Sequence, residues 1–257
     1  MRSPASSSLG IFRQAPDIVF GMSETPDRSV TRRELLKLSP LLALGAFAVP
    51  SWRDRLVEAG VAWSDRASGI AYREGHLAPM FATAEVVPFD EFPYNYYDVA
   101  DPGVDLDAWK LQVVGWLAHP GTYTLDAIRA LPKVTQNTRH VCVEGWDVIG
   151  RFGGARLADF LAMVGADPAA RFLTVTCADG YYESIDIETA RQPQSLLCYE
   201  MYDRPLDRGH GAPLRLQLPT KLGYKQAKYL LTLDVTRVLP ERRGYWSDQG
   251  YSWYGGL

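Results

Sequence analysis

The sequence is poor in cysteine and carries no excess of positive charge. Its 257 residues include three cysteines, too few and odd in number for the dense disulfide framework of small secreted domains. The 27 basic and 30 acidic residues give a formal net charge of −3, so the chain lacks the general basic field that draws proteins to nucleic acids. We therefore expect no nucleic-acid partner, and we expect any anion site to be a local cluster.

Several cofactor motifs are also missing. The sequence contains neither a Walker loop nor the glycine pattern of dinucleotide-binding folds, which argues against ATP and NAD chemistry. It lacks a Cys-x-x-Cys-His haem attachment site, so electrons would have to be exchanged with another protein. Hydrophobic residues make up 47% of the chain, which is enough apolar material for a substantial core.

A twin-arginine pair, Arg32-Arg33, precedes a short apolar run from Leu38 to Phe47. The run is about half of the roughly 20 residues that a membrane-spanning helix needs, and the segment resembles a signal for export by the twin-arginine (Tat) route. The alternative is a short buried helix after a polar head. We predict a Tat export signal over residues 1–48 and a periplasmic protein. Because this route carries folded proteins, it favours an enzyme with a complex cofactor.

Two further segments follow the predicted signal. Residues 49–90 are predicted to be a lead-in segment with one short helix near residues 53–59, and residues 91–257 to be the main domain. Strands dominate and helices are few, which indicates a single α+β domain with a mainly antiparallel or mixed sheet. The predicted strands are 109–116, one leading to Cys142, 172–177, 182–187, 195–202, 214–218 and 230–238. The predicted helices begin at Thr124 and Arg156, and a loop is predicted through Gly145 and Gly150.

Cys142 ends an apolar strand just before the glycine-containing loop. A lone buried cysteine is more often a small hydrophobic residue than a ligand. His140, however, shares the face of Cys142, because residues i and i+2 of a strand point to the same side. A thiolate suits a redox-active metal, whereas one cysteine and one histidine are too few for a structural zinc site. The pair predicts a cavity in which Cys142 binds a metal whose cofactor brings further donors.

A second cluster combines His210, Arg215, Lys221, Lys225 and Lys228 with interleaved glycines. Guanidinium and ammonium groups are suitable donors for a phosphate. Judged from the residues alone, an ordinary solvated basic loop is an equal alternative.

Together these segments resemble the sulfite oxidase family of molybdopterin oxidoreductases, in particular its periplasmic methionine-sulfoxide reductases. The resemblance is carried by residues 139–146, by 210–215 followed by 223–228, and by Asn95-Tyr96-Tyr97-Asp98, and it covers 94–240. It implies a sulfite oxidase-like fold in which the catalytic metal ligand is Cys142. The pterin-binding residues that it implies are Asn95, Tyr97, Asp98, His140, Cys177, His210, Arg215, Lys225, Gln226, Ala227 and Lys228.

The resemblance also implies a cofactor and a reaction. The cofactor is molybdenum bound to molybdopterin without a nucleotide, and the electrons come from a membrane-bound cytochrome of the b type. The expected reaction is oxygen-atom transfer that reduces a sulfoxide, either a small molecule or a protein methionine sulfoxide. The alternatives are sulfite-type oxidation by the same cofactor and a non-catalytic periplasmic ligand-binding module. Because the chain ends soon after Pro240, without the dimerisation domain of sulfite oxidases, a monomer is expected.

Some positions depart from the reductase pattern and leave the substrate open. His210 stands where the reductases have asparagine, and Cys177 stands where they have threonine. Glu144 follows Cys142 where true sulfite oxidases have an arginine-rich pocket, which disfavours an anionic substrate.

Two features have competing interpretations. Cys177 and Cys198 could form a disulfide, but the strict geometry of that bond leads us to favour two buried thiols. The C-terminal residues 244–256 hold five aromatic side chains, which could anchor the terminus to the core or form a lid or docking surface.

Overall fold

The computed structural model describes residues 76–257 continuously, together with residues 55, 56, 59, 60, 63 and 67. The predicted export signal over residues 1–48 lies outside the described residues. The six separate residues are helical, in and beyond the short helix predicted near 53–59. Among all described residues, no helix is long and apolar enough to cross a membrane.

Within residues 76–257, ten strands form two five-stranded sheets, joined by short helices. The strands are β1 (Leu111–Gly115), β2 (Gly121–Tyr123), β3 (Lys133–Val141), β4 (Asp147–Arg156), β5 (Phe172–Cys177), β6 (Tyr182–Asp186), β7 (Leu196–Met201), β8 (Arg204–Pro205), β9 (Arg215–Gln217) and β10 (Leu230–Thr236). The α-helices are α1 (Leu125–Arg129), α2 (Leu157–Met163), α3 (Ile187–Arg191) and α4 (Tyr245–Asp248). Short 3-10 helices span Thr83–Glu85, Phe89–Glu91 and Gly223–Lys225.

The first sheet is mixed and the second is antiparallel. The first has the order β2-β1-β10-β5-β6, in which only the β1–β10 pair is parallel. The second has the order β3-β4-β7-β8, with β9 also paired to β7, and all its pairs are antiparallel. The predicted α+β class with a mainly antiparallel or mixed sheet is confirmed.

Local sequence signals set several boundaries as predicted. The Thr124 hydroxyl accepts a hydrogen bond from the Ala127 amide and caps α1. Gly165, at a φ of 65°, follows the end of α2, where a side chain would be strained. The β5–β6 hairpin turns at Asp179 and Gly180, and Gly180 has a φ of 83°.

Most of the predicted strands are one or two residues too long at one or both ends, and two differences from the predicted boundaries have a clear physical reason. Gly150 lies in β4 rather than in a loop, and a Cβ there would come within 2.6 Å of the Phe92 ring. A glycine at position 150 therefore allows close packing against this ring and does not form a turn. Strand β6 ends at Asp186 rather than Ile187. The Asp186 carboxylate accepts a hydrogen bond from the Thr189 amide and caps the N-terminus of α3.

The main hydrophobic core joins the first sheet to the short helices. Helix α2 buries Leu157, Phe160 and Leu161 against residues such as Leu173 and Leu233. A seven-residue helix is marginal by itself, so this burial, about 1.5–3 kcal/mol per large side chain, is what keeps it folded. A smaller core around Phe92 and Phe152 anchors the chain just before residues 93–98.

Candidate active site

A cleft of about 480 Å³ opens beside the end of β3 and the residues that precede β10. Segment 92–97 forms part of its wall, and the C-terminal helix α4 contributes two aromatic side chains. The lining residues are Phe92, Pro93, Tyr94, Asn95, Tyr96, Tyr97, His140, Cys142, Val143, Glu144, Trp146, Asp179, Tyr181, His210, Arg215, Gly223, Tyr224, Gln226, Ala227, Lys228, Tyr245 and Trp246.

Cys142 is held at the cleft by a tight turn that follows β3. Its amide donates to the Trp146 carbonyl over 2.9 Å, and Gly145, at a φ of 94°, closes the turn. The Asn95 amide group points at the thiol, with Nδ2 3.7 Å from Sγ. Burial raises the pKa of Cys142, and the Glu144 charge adds to this. A bound metal would instead favour the thiolate form of Cys142, because a thiol that coordinates a metal is deprotonated.

Glu144 sits beside the thiol as a carboxylate. Its Oε2 accepts hydrogen bonds from Asn95 Nδ2 over 2.8 Å and from Trp146 Nε1 over 3.1 Å. These two bonds hold the pKa of Glu144 below its ordinary value. The part of the cleft next to Cys142 is therefore negatively charged.

Two buried histidines offer neutral imidazoles to the other part of the cleft. Burial lowers the pKa of His140 to about 3, with Arg215 adding to the effect, and burial lowers the pKa of His210 to about 4. Each leaves its Nδ1 buried without a hydrogen-bond partner among the described residues. Such orphaned atoms are uncommon in a folded protein and are suited to a bound polar group.

Arg215 and Lys228 are cations without a carboxylate partner in the described part of the chain. Arg215 is buried and, among the described residues, donates to the carbonyls of His210 and Leu216. The Lys228 ammonium donates to the carbonyls of Asn95 and Gly209. Burial and the nearby Arg215 lower the pKa of Lys228 to about 7. Because a buried charge without a partner is costly, an anion such as a phosphate group fits between these two side chains.

Small residues let the backbone approach this anion-binding end. A Cβ on Gly223 would lie 2.8 Å from His140 Nε2, and one on Gly211 would lie 2.9 Å from the Lys228 Cβ. The cleft therefore fits a group that has both a phosphate and a metal that binds thiolates. The cations without a carboxylate partner suit the phosphate, the Cys142 thiol suits the metal, and the imidazole atoms suit further polar atoms of the group.

The structure brings most of the predicted site residues together. Nine of the twelve line the cleft, and the exceptions are Asp98, Cys177 and Lys225. Asp98 is exposed next to the cleft. Burial is the main cause of the raised pKa of Asp179, and the charge of Asp98 adds to it. The nine that line it are Asn95, Tyr97, His140, Cys142, His210, Arg215, Gln226, Ala227 and Lys228.

Lys225 is turned away from the cleft because it neutralises a buried acid. Its ammonium lies 2.7 Å from Glu183 Oε1 and donates to the Ser184 carbonyl. Lys221 similarly lies 3.3 Å from Asp186 Oδ2. The predicted basic cluster is thus divided between an anion-binding half and a half that forms buried ion pairs.

The remaining cysteines and the C-terminal segment have structural roles. Cys177 and Cys198 are buried free thiols, which confirms the preferred interpretation. The C-terminal segment is anchored, since Trp253 Nε1 donates to Ser184 Oγ over 2.8 Å. It also reaches the cleft through Tyr245 and Trp246, and a role of this segment as a lid or docking surface stays a prediction.

Sequence reasoning missed Asp179 and Tyr181 as cleft residues. Their Asp-Gly-Tyr stretch was interpreted only as a hairpin turn, although polar and aromatic residues at the tip of a hairpin can equally well face a site. Burial raises the pKa of Asp179, which makes it the more easily protonated of the two cleft carboxyl groups.

Comparison with known proteins identifies the family. The oxidoreductase molybdopterin-binding domain matches residues 98–246. The chain is 38% identical to the putative protein-methionine-sulfoxide reductase subunit YedZ1 of Azospira oryzae, over 91% of this chain and 89% of that protein. It is 28% identical to the protein-methionine-sulfoxide reductase catalytic subunit MsrP of Xanthomonas campestris, over 66% of this chain and 59% of that protein.

Among solved structures, the sulfane dehydrogenase SoxCD of Paracoccus pantotrophus superimposes with a TM-score of 0.50 at 18% identity. The match covers 53% of this chain and 40% of that one, and it supports the sulfite oxidase-type fold. Family, fold and the chemistry of the cleft agree on a molybdenum–pterin cofactor. The chain is an oxidoreductase that belongs to the molybdopterin-binding oxidoreductase family.

Proposed function

We propose that this protein reduces sulfoxides, and methionine sulfoxide in polypeptides in particular. The observation that carries the proposal is the surroundings of Cys142, whose thiol lies beside the Glu144 carboxylate rather than beside a cation. The two cations of the cleft, Arg215 and Lys228, are buried or half-buried at the anion-binding end. Such a site favours a neutral sulfoxide over an anion such as sulfite. The names of the similar reductases support the same substrate class.

In this proposal five side chains of the cleft have defined tasks. Cys142 Sγ is the protein's ligand to molybdenum. Arg215, Lys228 and nearby backbone amides bind the phosphate of the pterin, and His140 and His210 hydrogen-bond to its polar atoms. The bound cofactor supplies two-electron oxygen-atom transfer.

The reaction balances with one electron donor and the solvent. The sulfur–oxygen bond breaks, two electrons reduce the sulfur to a thioether, and two protons convert the oxygen to water. Asp179 is the cleft carboxyl group that burial makes easier to protonate, and Glu144 stays ionised. We assign the proton-holding role to Asp179, because its side chain lines the cleft and its carboxyl group is the more easily protonated of the two.

The proposal includes a location and a partner. The twin-arginine segment within residues 1–48 delivers the protein to the periplasm, where a membrane-bound cytochrome of the b type supplies the electrons. The pterin form without a nucleotide and the monomeric state stay predictions.

The test is an assay of the holoenzyme, produced with molybdate, for dye-coupled reduction of a methionine sulfoxide peptide. We expect about one molybdenum per chain and sulfoxide reduction that Cys142→Ser abolishes and Cys198→Ser does not. Sulfite oxidation without sulfoxide reduction would favour the alternative reaction. A stable metal-free protein from the same cells would favour a binding module. Delivery of an Arg32→Lys, Arg33→Lys variant to the periplasm would overturn the twin-arginine route, and recovery of the wild-type protein in the cytoplasm would overturn the assigned location.

A further inference from the structure

Five exposed or half-buried aromatic side chains line the cleft, and we call them the aromatic mouth: Tyr94, Tyr96, Tyr97, Tyr245 and Trp246. Four of them are substantially exposed, with Tyr94 at 49%, Tyr96 at 57%, Tyr97 at 42% and Trp246 at 36%. Exposed aromatic clusters of this kind on a soluble surface mark sites that bind a partner or a large ligand.

Part of the mouth is held in place by ring contacts. The Tyr97 and Tyr245 ring centroids are 4.5 Å apart, and those of Tyr245 and Trp246 are 5.1 Å apart, both edge-to-face. Tyr245 also lies 6.2 Å from Tyr181, which lines the same cleft. The mouth is therefore a supported surface and not a set of independent side chains.

Among the residues that line the cleft, the exposed charge is negative. Among the exposed residues that line the cleft, Glu144 is the charged one, and the adjoining Asp98 is exposed as well. The basic lining residues are the buried or half-buried His140, His210, Arg215 and Lys228 of the anion-binding end.

We propose that the aromatic mouth makes the enzyme prefer methionine sulfoxides flanked by lysine or arginine over those flanked by aspartate or glutamate. The inference rests on the proposed function and adds the sequence context of the substrate. Cationic side chains gain from ring faces and from the carboxylates together. An acidic flank gains from neither and is repelled by Glu144 and Asp98.

The size of the preference follows from exposed interactions. An exposed ion pair and an exposed cation–π contact each change affinity about two- to fivefold. Both contacts favour a lysine flank, and a glutamate flank is repelled. We therefore expect kcat/KM for the lysine-flanked peptide to be about tenfold that for the glutamate-flanked peptide at low salt. The ratio should shrink at high salt, because the Debye length falls from about 10 Å at 0.1 M to about 3 Å at 1 M.

The experiment uses the holoenzyme and three short peptides that are identical except for the residues on either side of methionine sulfoxide, which are lysine, glutamine or glutamate. We expect kcat/KM to fall in the order lysine, glutamine, glutamate. Fluorescence anisotropy of labelled methionine sulfone peptides, which carry the same flanks, should give the same order of affinities without any turnover.

Variants assign the preference to the mouth. Trp246→Leu and Tyr96→Leu should each reduce the lysine-to-glutamate ratio about two- to fivefold. Trp116→Leu is the matched control, because Trp116 is also exposed, stacks on Arg237 and does not line the cleft. It should leave the ratio unchanged.

The outcomes separate this inference from the proposed function. Equal kcat/KM for all three peptides, with the sulfoxide still reduced, would overturn the preference and leave the proposed function standing. Failure of a molybdenum-loaded enzyme to reduce any of the peptides would overturn the proposed function. A preference that survives both mouth variants would place the selection elsewhere and overturn the role of the mouth.

Discussion

Lys225 and Glu183 form an ion pair that is sealed from solvent, with Nζ 2.7 Å from Oε1 and side-chain exposures of 1% and 0%. Removing one partner of such a pair leaves a buried charge and costs about 3–5 kcal/mol, whereas replacing both can be neutral. We therefore expect Lys225→Met to be strongly destabilised and the double variant Lys225→Met, Glu183→Gln to recover most of the loss. Urea unfolding of the cofactor-free proteins measures the free energy of unfolding of each variant. A Lys225→Met variant that is as stable as wild type would show that the pair is not ionised.

Lys228, unlike Lys225, has no carboxylate partner among the described residues, and its charge should destabilise the cofactor-free protein. Burial lowers its folded-state pKa to about 7, below the value of about 10.4 in an unfolded chain. Between these values the unfolded state binds the extra proton, so this group makes the cofactor-free protein more stable as pH rises through that window. The Lys228→Met variant should lose the effect. The measurement is Tm at pH values of about 7 and about 9.5, with the exposed Lys110→Met as control. Identical pH dependence of all three proteins would contradict it.

Arg215 should determine how tightly the cofactor is retained. Loss of a charge-assisted hydrogen bond costs about 1.5–3 kcal/mol, which is about tenfold to a hundredfold in affinity. Arg215→Lys keeps the charge but loses the planar fork, so we expect reduced pterin content after dialysis. Arg171→Ala, at an exposed position, should retain wild-type content. Pterin fluorescence after oxidative release gives the readout, and equal content in both variants would show that the buried guanidinium does not bind the phosphate.

The three cysteines should respond differently to serine. Cys142→Ser should fold and lose both sulfoxide reduction and the molybdenum(V) signal of wild type, since a hydroxyl does not replace a thiolate donor. Cys198→Ser should be mild, because its Sγ already donates to the Glu200 carbonyl over 3.2 Å. Cys177→Ser should cost about 1–3 kcal/mol if its buried hydroxyl stays unpaired. An unchanged rate and spectrum in Cys142→Ser would place the metal elsewhere.

Local patterns predicted the elements that depend on nearby residues. The β5–β6 hairpin follows from two alternating runs around Asp179-Gly180, and His140 and Cys142 line the same cleft as predicted, although β3 ends at Val141, one residue before Cys142. Lys225 and Lys228 could not be distinguished in this way, since they are three residues apart in one basic segment. What separates them is Glu183, which is 42 residues away in sequence from Lys225, and no local pattern reports such a distant partner.

The same limit explains the misassigned Gly150 and the position of the C-terminal aromatic residues, whereas the β6 boundary depends on the local Asp186 cap. Gly150 looked like a loop residue because its reason for being glycine, the Phe92 ring, comes from a distant part of the chain. Tyr245 and Trp246 belong to a C-terminal segment whose path back to the cleft is set by contacts such as the Trp253–Ser184 hydrogen bond. Tertiary packing, not propensity, places these residues.

Asn95 connects the two ends of the cleft, because its backbone carbonyl accepts from Lys228 and its side-chain amide donates to Glu144 and approaches Cys142 Sγ. An ammonium that moves toward a phosphate loosens its hold on that carbonyl, and the displacement reaches the donor beside the metal ligand. We therefore expect the two halves of the site to be coupled through Asn95. In a double-mutant cycle, the effects of Lys228→Ala and Glu144→Gln on the free energy of cofactor binding should be non-additive, and Asn95→Ala should abolish that coupling.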